Sequence, residues 1–295
     1  PAMKHYKAIF FDWDGTAVLS RKAPVEDAIN AMRPLLDKGV KLCIVSGTTY
    51  ENIAGGKLHS YFTPKQLENL YLGLGRGAFD YGYDAAGQPT ILVDRVPDAK
   101  GILAVHDACY RIHHALAAVR VTVKDTELLE KYGMNTDIVF SRPNYCKIDL
   151  MPANNRGENL FLQEGEAARL QHILQQHGID SIETVIAMAE SFGTPEMPLR
   201  ATTDAKYLEV GPTGKSDNVD ALFARFGFAA EDCCFWGDEF IGVTDSIFGS
   251  DAGMLTEKTK IGDFYDVSDL EGVRPEQVKH LGGGIQTFLE FLQAQ

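Results

Sequence analysis

The sequence is short of positive charge. Its 41 acidic residues exceed its 28 basic ones, for a formal net charge of −13, so it lacks the concentrated basic surface that sequence-independent nucleic-acid binding requires. It lacks a long apolar run as well. No stretch is long enough to cross a bilayer, and no leader combines a charged start, an apolar centre and a small-residue cleavage site, so neither a membrane nor a secretory role is expected. Cysteine is scarce: Cys43, Cys109, Cys146, Cys233 and Cys234 leave an odd one over and form no zinc-ligand spacing. Cys43 and the Cys233-Cys234 pair lie in apolar runs, where cysteine acts as a small buried hydrophobe. A reducing cytoplasm is the expected compartment. Internal repeats and low-complexity tracts are missing too. An acidic chain can still take an anionic substrate, provided a metal ion or a few placed cations hold it.

What the sequence does have is a series of short apolar runs that end in polar, chemically capable residues. Ala8-Ile9-Phe10-Phe11 is too short for a helix and suits a strand buried on both faces of a parallel sheet. Asp12 and Asp14 follow at once, then Gly15-Thr16. Residues 24–38 carry Ala28, Ile29, Met32, Leu35 and Leu36 at helical spacing, with Pro34 predicting a kink. Residues 40–45 form a second buried run, ending in Ser46-Gly47-Thr48, and a helix is predicted from Thr49 towards Leu58. A strand, a Ser-Gly-Thr turn and a helix start put a hydroxyl and backbone N–H groups at one spot, which suits an oxyanion; a plain helix N-cap accounts for the same residues. Residues 70–74 predict a third strand before Gly75-Arg76-Gly77, and a hairpin follows around residues 84–88.

At 295 residues the chain suits two domains, or one carrying a large insertion. From about Pro97 the texture changes to long helical patterns and alternating strands. Helices are predicted over 102–118 and 158–176, and strands over 119–123, 146–150 and 184–189. We therefore expect a doubly wound, Rossmann-like parallel-sheet α/β core over residues 1–96 and 203–295, with an inserted α+β cap over 97–202. The core pattern resumes with a strand over 206–210, a helix opened by Lys215, the run Cys233-Cys234-Phe235-Trp236 entering Gly237-Asp238-Glu239, a strand near 248–255 and an amphipathic C-terminal helix.

Asp12/Asp14, Ser46, Lys215 and Asp238 share one address, a loop after a core strand or the start of the helix it feeds. In a doubly wound sheet such positions converge at one edge. Three carboxylates with no softer ligand suit a hard ion such as Mg²⁺, while Ser46 and Lys215 suit phosphate oxygens. That equipment serves phosphoryl transfer, which is mostly positioning and charge neutralisation.

The same residues resemble the haloacid dehalogenase superfamily of phosphatases, in the Cof-like or sugar-phosphatase branch with a type C2 cap. Phe11-Asp12-Trp13-Asp14-Gly15-Thr16 is similar to the family's first motif and Val45-Ser46-Gly47-Thr48 to its second. Tyr207-Leu208-Glu209-Val210 through Gly214-Lys215 is similar to the third, and Gly237-Asp238-Glu239 to the start of the fourth. The motifs occur in family order and cover the core, not the cap. The resemblance implies a Mg²⁺-dependent hydrolase of phosphomonoesters, with sugar phosphates or similar small phosphorylated metabolites as substrates. It implies Asp12 as nucleophile and metal ligand, and Asp14 as general acid/base that also contacts the metal. Ser46, Gly47 and Lys215 would bind phosphate, and Asp238 would complete the metal site. Two features depart from the pattern. The second acid of the fourth motif is either Glu239, the preferred candidate, or Asp245, which stands further along than usual. Arg76 stands near where relatives often have Asn-Gly, either as an added phosphate-binding cation or as a salt-bridged surface arginine. Arg142, Asn144, Lys147 and Arg200 are candidate readers of a hydroxylated leaving group. A phosphomutase or phosphotransferase using the same site and a non-enzymatic phospho-receiver are the alternatives.

Overall fold

The computed structural model describes residues 4–118, 138–142, 144–149, 175, 181–203 and 207–295. They form two compact units. The predicted strand over 119–123, nearly all of the predicted helix over 158–176, and Lys206 lie outside the described residues.

The first unit comprises Pro1–Arg95, Gly214–Ile241 and Asp251–Gln295. Its strands are β1 (Ala8–Phe11), β2 (Lys41–Val45), β3 (Leu70–Leu74), β4 (Phe79–Tyr83) and β5 (Pro89–Asp94), then β10 (Cys233–Gly237), β11 (Asp263–Asp266) and β12 (Val278–His280). They make an eight-stranded sheet in the order β12-β11-β10-β1-β2-β3-β4-β5, parallel from β12 to β3, with an antiparallel hairpin at the β5 edge. Every side chain of β1 is buried because both faces are covered. Ile9 and Phe11 join one core layer with Leu42, Ile44, Ile29, Met32, Leu35, Phe288 and Leu292. Ala8 and Phe10 point the other way, into a layer with Cys43, Val45, Phe235, Phe264, Val219 and Leu222. This period-two split explains why the run is continuously apolar. Helices α1 (Glu26–Asp37) and α6 (Gly284–Ala294) supply the first layer, and α5 (Lys215–Phe226) supplies the second; the short α2 spans Pro64–Leu67.

Two expectations for this unit are corrected. Residues 49–58 do not form an α-helix. They make short 3₁₀ turns at Tyr50–Asn52 and Ala54–Gly56, because Gly55 takes a left-handed φ of 62° inside the stretch. The strand expected near 248–255 is a 3₁₀ turn at Ser250–Met254, and the next strand is β11. Trp13 and Trp236, which flank the acids in sequence, are buried in the core, Trp236 against Phe288 and Phe291.

The second unit comprises Val96–Thr213 and Gly242–Ser250. Its antiparallel sheet runs β6 (Ile138–Arg142), β7 (Tyr145–Asp149), β9 (Tyr207–Gly211), β8 (Arg200–Thr203). Among the described residues, helices α3 (Ala99–Ala118) and α4 (Ile182–Ser191) accompany it. Its core gathers Val105, Cys109, Ile112, Cys146, Ile148, Val185, Leu208 and Val210. Here the run over 206–210, expected as a core strand, pairs instead with β7 and β8. The strand expected over 184–189 is helix α4, opened by Ser181, whose hydroxyl accepts the N–H of Thr184 at 3.2 Å.

Cys43, Cys233 and Cys234 are free and buried, as expected, whereas Cys109 and Cys146 form a disulfide joining α3 to β7. A disulfide is unusual in a reducing compartment. Its partners are 37 residues apart, and closing a loop of that size should stabilise the folded chain by about 4 kcal/mol. Thermal unfolding with and without a thiol reductant measures the effect; an unchanged midpoint on verified reduction would refute it.

Candidate active site

Strand β1 lies between β2 and β10, so consecutive strands leave it towards opposite sides of the sheet. That reversal opens a crevice at the carboxyl ends of the strands. Phe11 is level with Trp236 and Ile44. Asp12 therefore starts the turn after β1 beside Gly237, and its N–H donates to the Trp236 carbonyl at 3.0 Å. Ser46 begins the loop after β2, one residue past the level of Asp12.

The turn itself explains the glycine at position 15. The N–H groups of Thr16, Ala17 and Val18 all reach back to the Trp13 carbonyl, and the Gly15 N–H donates to Val18. Gly15 has a φ of +82°, and a Cβ there would lie 2.0 Å from Asp238 Oδ2. Only glycine allows both the backbone conformation and the approach of the acid. The Thr16 hydroxyl donates to Asp238 Oδ1 at 3.4 Å.

Carboxylate oxygens of Asp12, Asp238 and Asp251 all lie within 4.8 Å of one another. Lys215, the first residue of α5, sets its Nζ 2.8 Å from Asp251 Oδ1 and 3.7 Å from Asp12 Oδ1. The other oxygen of Asp251 accepts the backbone N–H groups of Asp238 and Glu239, at 3.0 and 2.8 Å. One buried carboxylate thus ties the lysine to the turn that carries Asp238. Burial and the neighbouring carboxylates push the Asp238 pKa up to about 11. Burial also raises Asp12, against the pull of Lys215. For Lys215 burial works against the charge, but Asp12 and Asp251 outweigh it and hold the ammonium above its ordinary range. Three close carboxylates with one ammonium are short of positive charge. Their all-oxygen donor set fits a hard divalent cation.

Asp14 is raised by burial, with Arg21 opposing the shift. Its Oδ1 is buried and has no hydrogen-bond partner among the described residues. Ser46 Oγ accepts the Thr48 N–H at 3.2 Å, which leaves its own hydrogen to donate. Gly47 follows, and a Cβ there would meet nothing within 4 Å.

Arg76 is buried, so it is not a surface arginine, and it holds a left-handed φ of 54°. Its neighbours locate it: the Gly75 N–H donates to Thr48 O at 3.0 Å, and a Cβ on Gly77 would lie 2.3 Å from the Gly214 carbonyl oxygen. Arg76 thus stands between the Ser46–Thr48 loop and the start of α5. The loop is braced by Arg95, which donates to the Gly77 carbonyl and to both oxygens of Asp80, and by Asn218, which donates to Asp80.

The sequence reading missed Asp251. Glu239 adds its charge to the field at Asp12, but the third member of the close cluster is Asp251. Asp245 is exposed and belongs to the second unit. Among the candidate readers there, buried Asn144 donates to the Thr213 hydroxyl at 3.4 Å, and Lys147 pairs with Glu209 at 3.5 Å.

No protein-family model and no curated protein matches the sequence. Among solved structures, the IMP-bound, N-terminally truncated IMP-nucleotidase of Plasmodium falciparum gives a TM-score of 0.58 at 12% identity, covering 98% of this chain and 68% of that one. The ATP-bound form of that nucleotidase gives 0.54 at 12% identity, covering 98% and 60%. A Eubacterium rectale protein solved at 1.80 Å gives 0.52 at 15% identity, covering 98% of both chains. Likeness at such low identity is likeness of fold, and the chain shares its fold with these structures.

Proposed function

We propose that the chain is a Mg²⁺-dependent phosphomonoester hydrolase working through an aspartyl-phosphate on Asp12, with a sugar phosphate or similar small phosphorylated metabolite as substrate. The observation that carries this reading is the cluster of Asp12, Asp238 and Asp251 around the Lys215 ammonium. These three carboxylates would hold the cation, with Glu239 adding charge beside them and Asp14 close by in the turn. When bound, Mg²⁺ supplies charge neutralisation at the phosphoryl oxygens.

Asp12 supplies a carboxylate oxygen that attacks phosphorus as the bond to the leaving oxygen breaks. Asp14 protonates that oxygen, then takes a proton from the water that attacks the aspartyl-phosphate, and inorganic phosphate leaves with Asp12 restored. The raised pKa of Asp14 suits the protonated form the first step needs. Its orphaned Oδ1 suits a partner brought by the substrate. Ser46, the Gly47 backbone, Lys215 and Arg76 orient the phosphoryl group. A cytoplasmic setting remains part of the proposal, although the Cys109–Cys146 bond stands against it.

The test is phosphate release across phosphorylated sugars, small acids and nucleotides, with Mg²⁺ and with EDTA. IMP joins the panel because the P. falciparum IMP-nucleotidase shares the fold. Release that requires Mg²⁺ and is best with a sugar phosphate is expected. Transfer to a second sugar hydroxyl without release would favour a mutase, and a stable phosphoprotein without turnover would favour a receiver.

A further inference from the structure

Asp80 is a carboxylate that the proposed chemistry does not use, yet it stands on β4 only 1% exposed. Its oxygens accept from two side chains. Arg95 Nη1 donates to Oδ1 at 3.0 Å and Nη2 to Oδ2 at 2.6 Å, while Asn218 Nδ2 donates to Oδ1 at 2.8 Å. Each of these partners has a second hold. Arg95 Nη1 also donates to the Gly77 carbonyl at 3.0 Å, and Asn218 Nδ2 to the Phe79 carbonyl at 3.0 Å. All of these residues belong to the first unit.

The two partners reach the segments that carry the proposed phosphate-binding cations. The Gly77 carbonyl ends the run Gly75-Arg76-Gly77, whose φ angles of 69°, 54° and 90° are all left-handed. A non-glycine residue stays in that region only where its surroundings hold it. Asn218 lies on α5, about one turn beyond Lys215. It is fully buried, and β3 makes room for it through Gly73, where a Cβ would lie 2.5 Å from Asn218 Cβ. Chain connection alone does not place this helix. The chain leaves the first unit after Arg95 and returns only at Gly214, next to Lys215, so contacts within the unit must fix where α5 begins.

We infer that Asp80 is a positioning residue for the phosphate-binding cations: by holding Arg95 and Asn218 at once it fixes the Gly75–Gly77 loop and the first turn of α5, and so sets Arg76 and Lys215 at the spacing a phosphoryl group needs. This rests on the phosphate-binding roles proposed above for those two residues. The physical basis is preorganisation. Two cations brought together on separate segments repel each other. Segments free to drift apart would have to be ordered each time an anion binds. A buried carboxylate bonded towards both segments completes that ordering during folding.

The experiment is a calorimetric titration of inorganic phosphate, at saturating Mg²⁺ and well below each unfolding midpoint, into the full chain, Asp80→Ala, Asn218→Ala and the double variant. Both single changes should weaken phosphate binding by roughly 3–30-fold, the range felt within one hydrogen-bond network. The double variant should bind no more weakly than Asp80→Ala, because Asn218 and Asp80 act as one brace. The sign of the effect is diagnostic. Asp80→Ala removes a negative charge and releases the Arg95 cation, so electrostatics alone would tighten the binding of an anion. Lost stability leaves the affinity unmoved while the chain stays folded. If Asp80→Ala does not fold, Asn218→Ala, which strands no charge, decides the matter. Unaltered or tighter phosphate binding in the variants that fold would overturn the inference, as would additive losses in the double variant. If the unaltered chain binds no phosphate, the phosphate-site reading itself fails and the brace with it.

Discussion

Asp12→Asn should lower phosphate release by ~10⁴-fold or more, the scale on which loss of a covalent nucleophile is felt. The amide has the shape of the carboxylate but no charge and little nucleophilicity, so the aspartyl-phosphate cannot form. The fold should survive. Asp12 is a buried acid beside two others, so neutralising it removes repulsion, and Lys215 keeps its shorter contact, 2.8 Å to Asp251. A rapid acid quench with radiolabelled substrate should trap a hydroxylamine-sensitive phosphoprotein in the unaltered chain and none in the variant. Turnover by Asp12→Asn near the original rate would end the nucleophile assignment.

The second large effect belongs to Asp251→Ala, and it falls on stability as well as activity. Asp251 is fully buried; one oxygen holds Lys215, and the other accepts two backbone N–H groups. Alanine strands both donors and leaves the lysine with Asp12 at 3.7 Å. Stranded buried donors cost ~1–3 kcal/mol each, and breaking a buried ion pair from one side costs ~3–5 kcal/mol. Relief of the like charge on Asp12 and Asp238 offsets part of the sum. A net loss of about 3–5 kcal/mol is expected in metal-free chemical denaturation, together with loss of Mg²⁺-dependent turnover. A variant as stable and active as the parent would show that Asp251 is neither ligand nor brace.

Much of the core was legible because its strands are short, apolar and parallel, and because each ends where the chemistry begins. Asp12, Ser46 and Asp238 needed no more than that rule, whereas Lys215 opens α5 after a strand that belongs to the second unit. Asp251 was not legible, since it enters the cluster through bonds to the backbone of Asp238 and Glu239, and a backbone N–H leaves no mark on the residue types. The interval usual in the resembled family meets no acid after Asp238, which left only Glu239 or the displaced Asp245 to choose between. The strand Tyr207–Gly211 did carry a usable signal: Leu208 and Val210 alternate with Tyr207 and Glu209, the pattern of a half-covered antiparallel strand rather than one buried on both faces. Thr184, Val185 and Ile186 suggested a strand through β-branching. Ile182, Val185 and Ala189 bury one face at helical spacing, and the Ser181 cap favours the helix that forms. Pairing of Cys109 with Cys146 depends on how α3 lies against β7, which no spacing encodes.

The position of β1 has a consequence for how the chain is made. Its first neighbour, β2, follows within a few dozen residues, but its other neighbour, β10, is written near the far end: Thr16 meets Asp238 across a separation of 222 residues. A chain leaving the ribosome therefore carries β1 with one edge unpaired, and with Phe10 lacking the Phe235 ring it stacks on at 4.8 Å, until β10 has been synthesised. Pairings this distant form late and leave sticky edges uncovered meanwhile. Nascent chains stalled before Cys233 are the species most in need of a chaperone, and the acid cluster cannot assemble before Asp251 has been added.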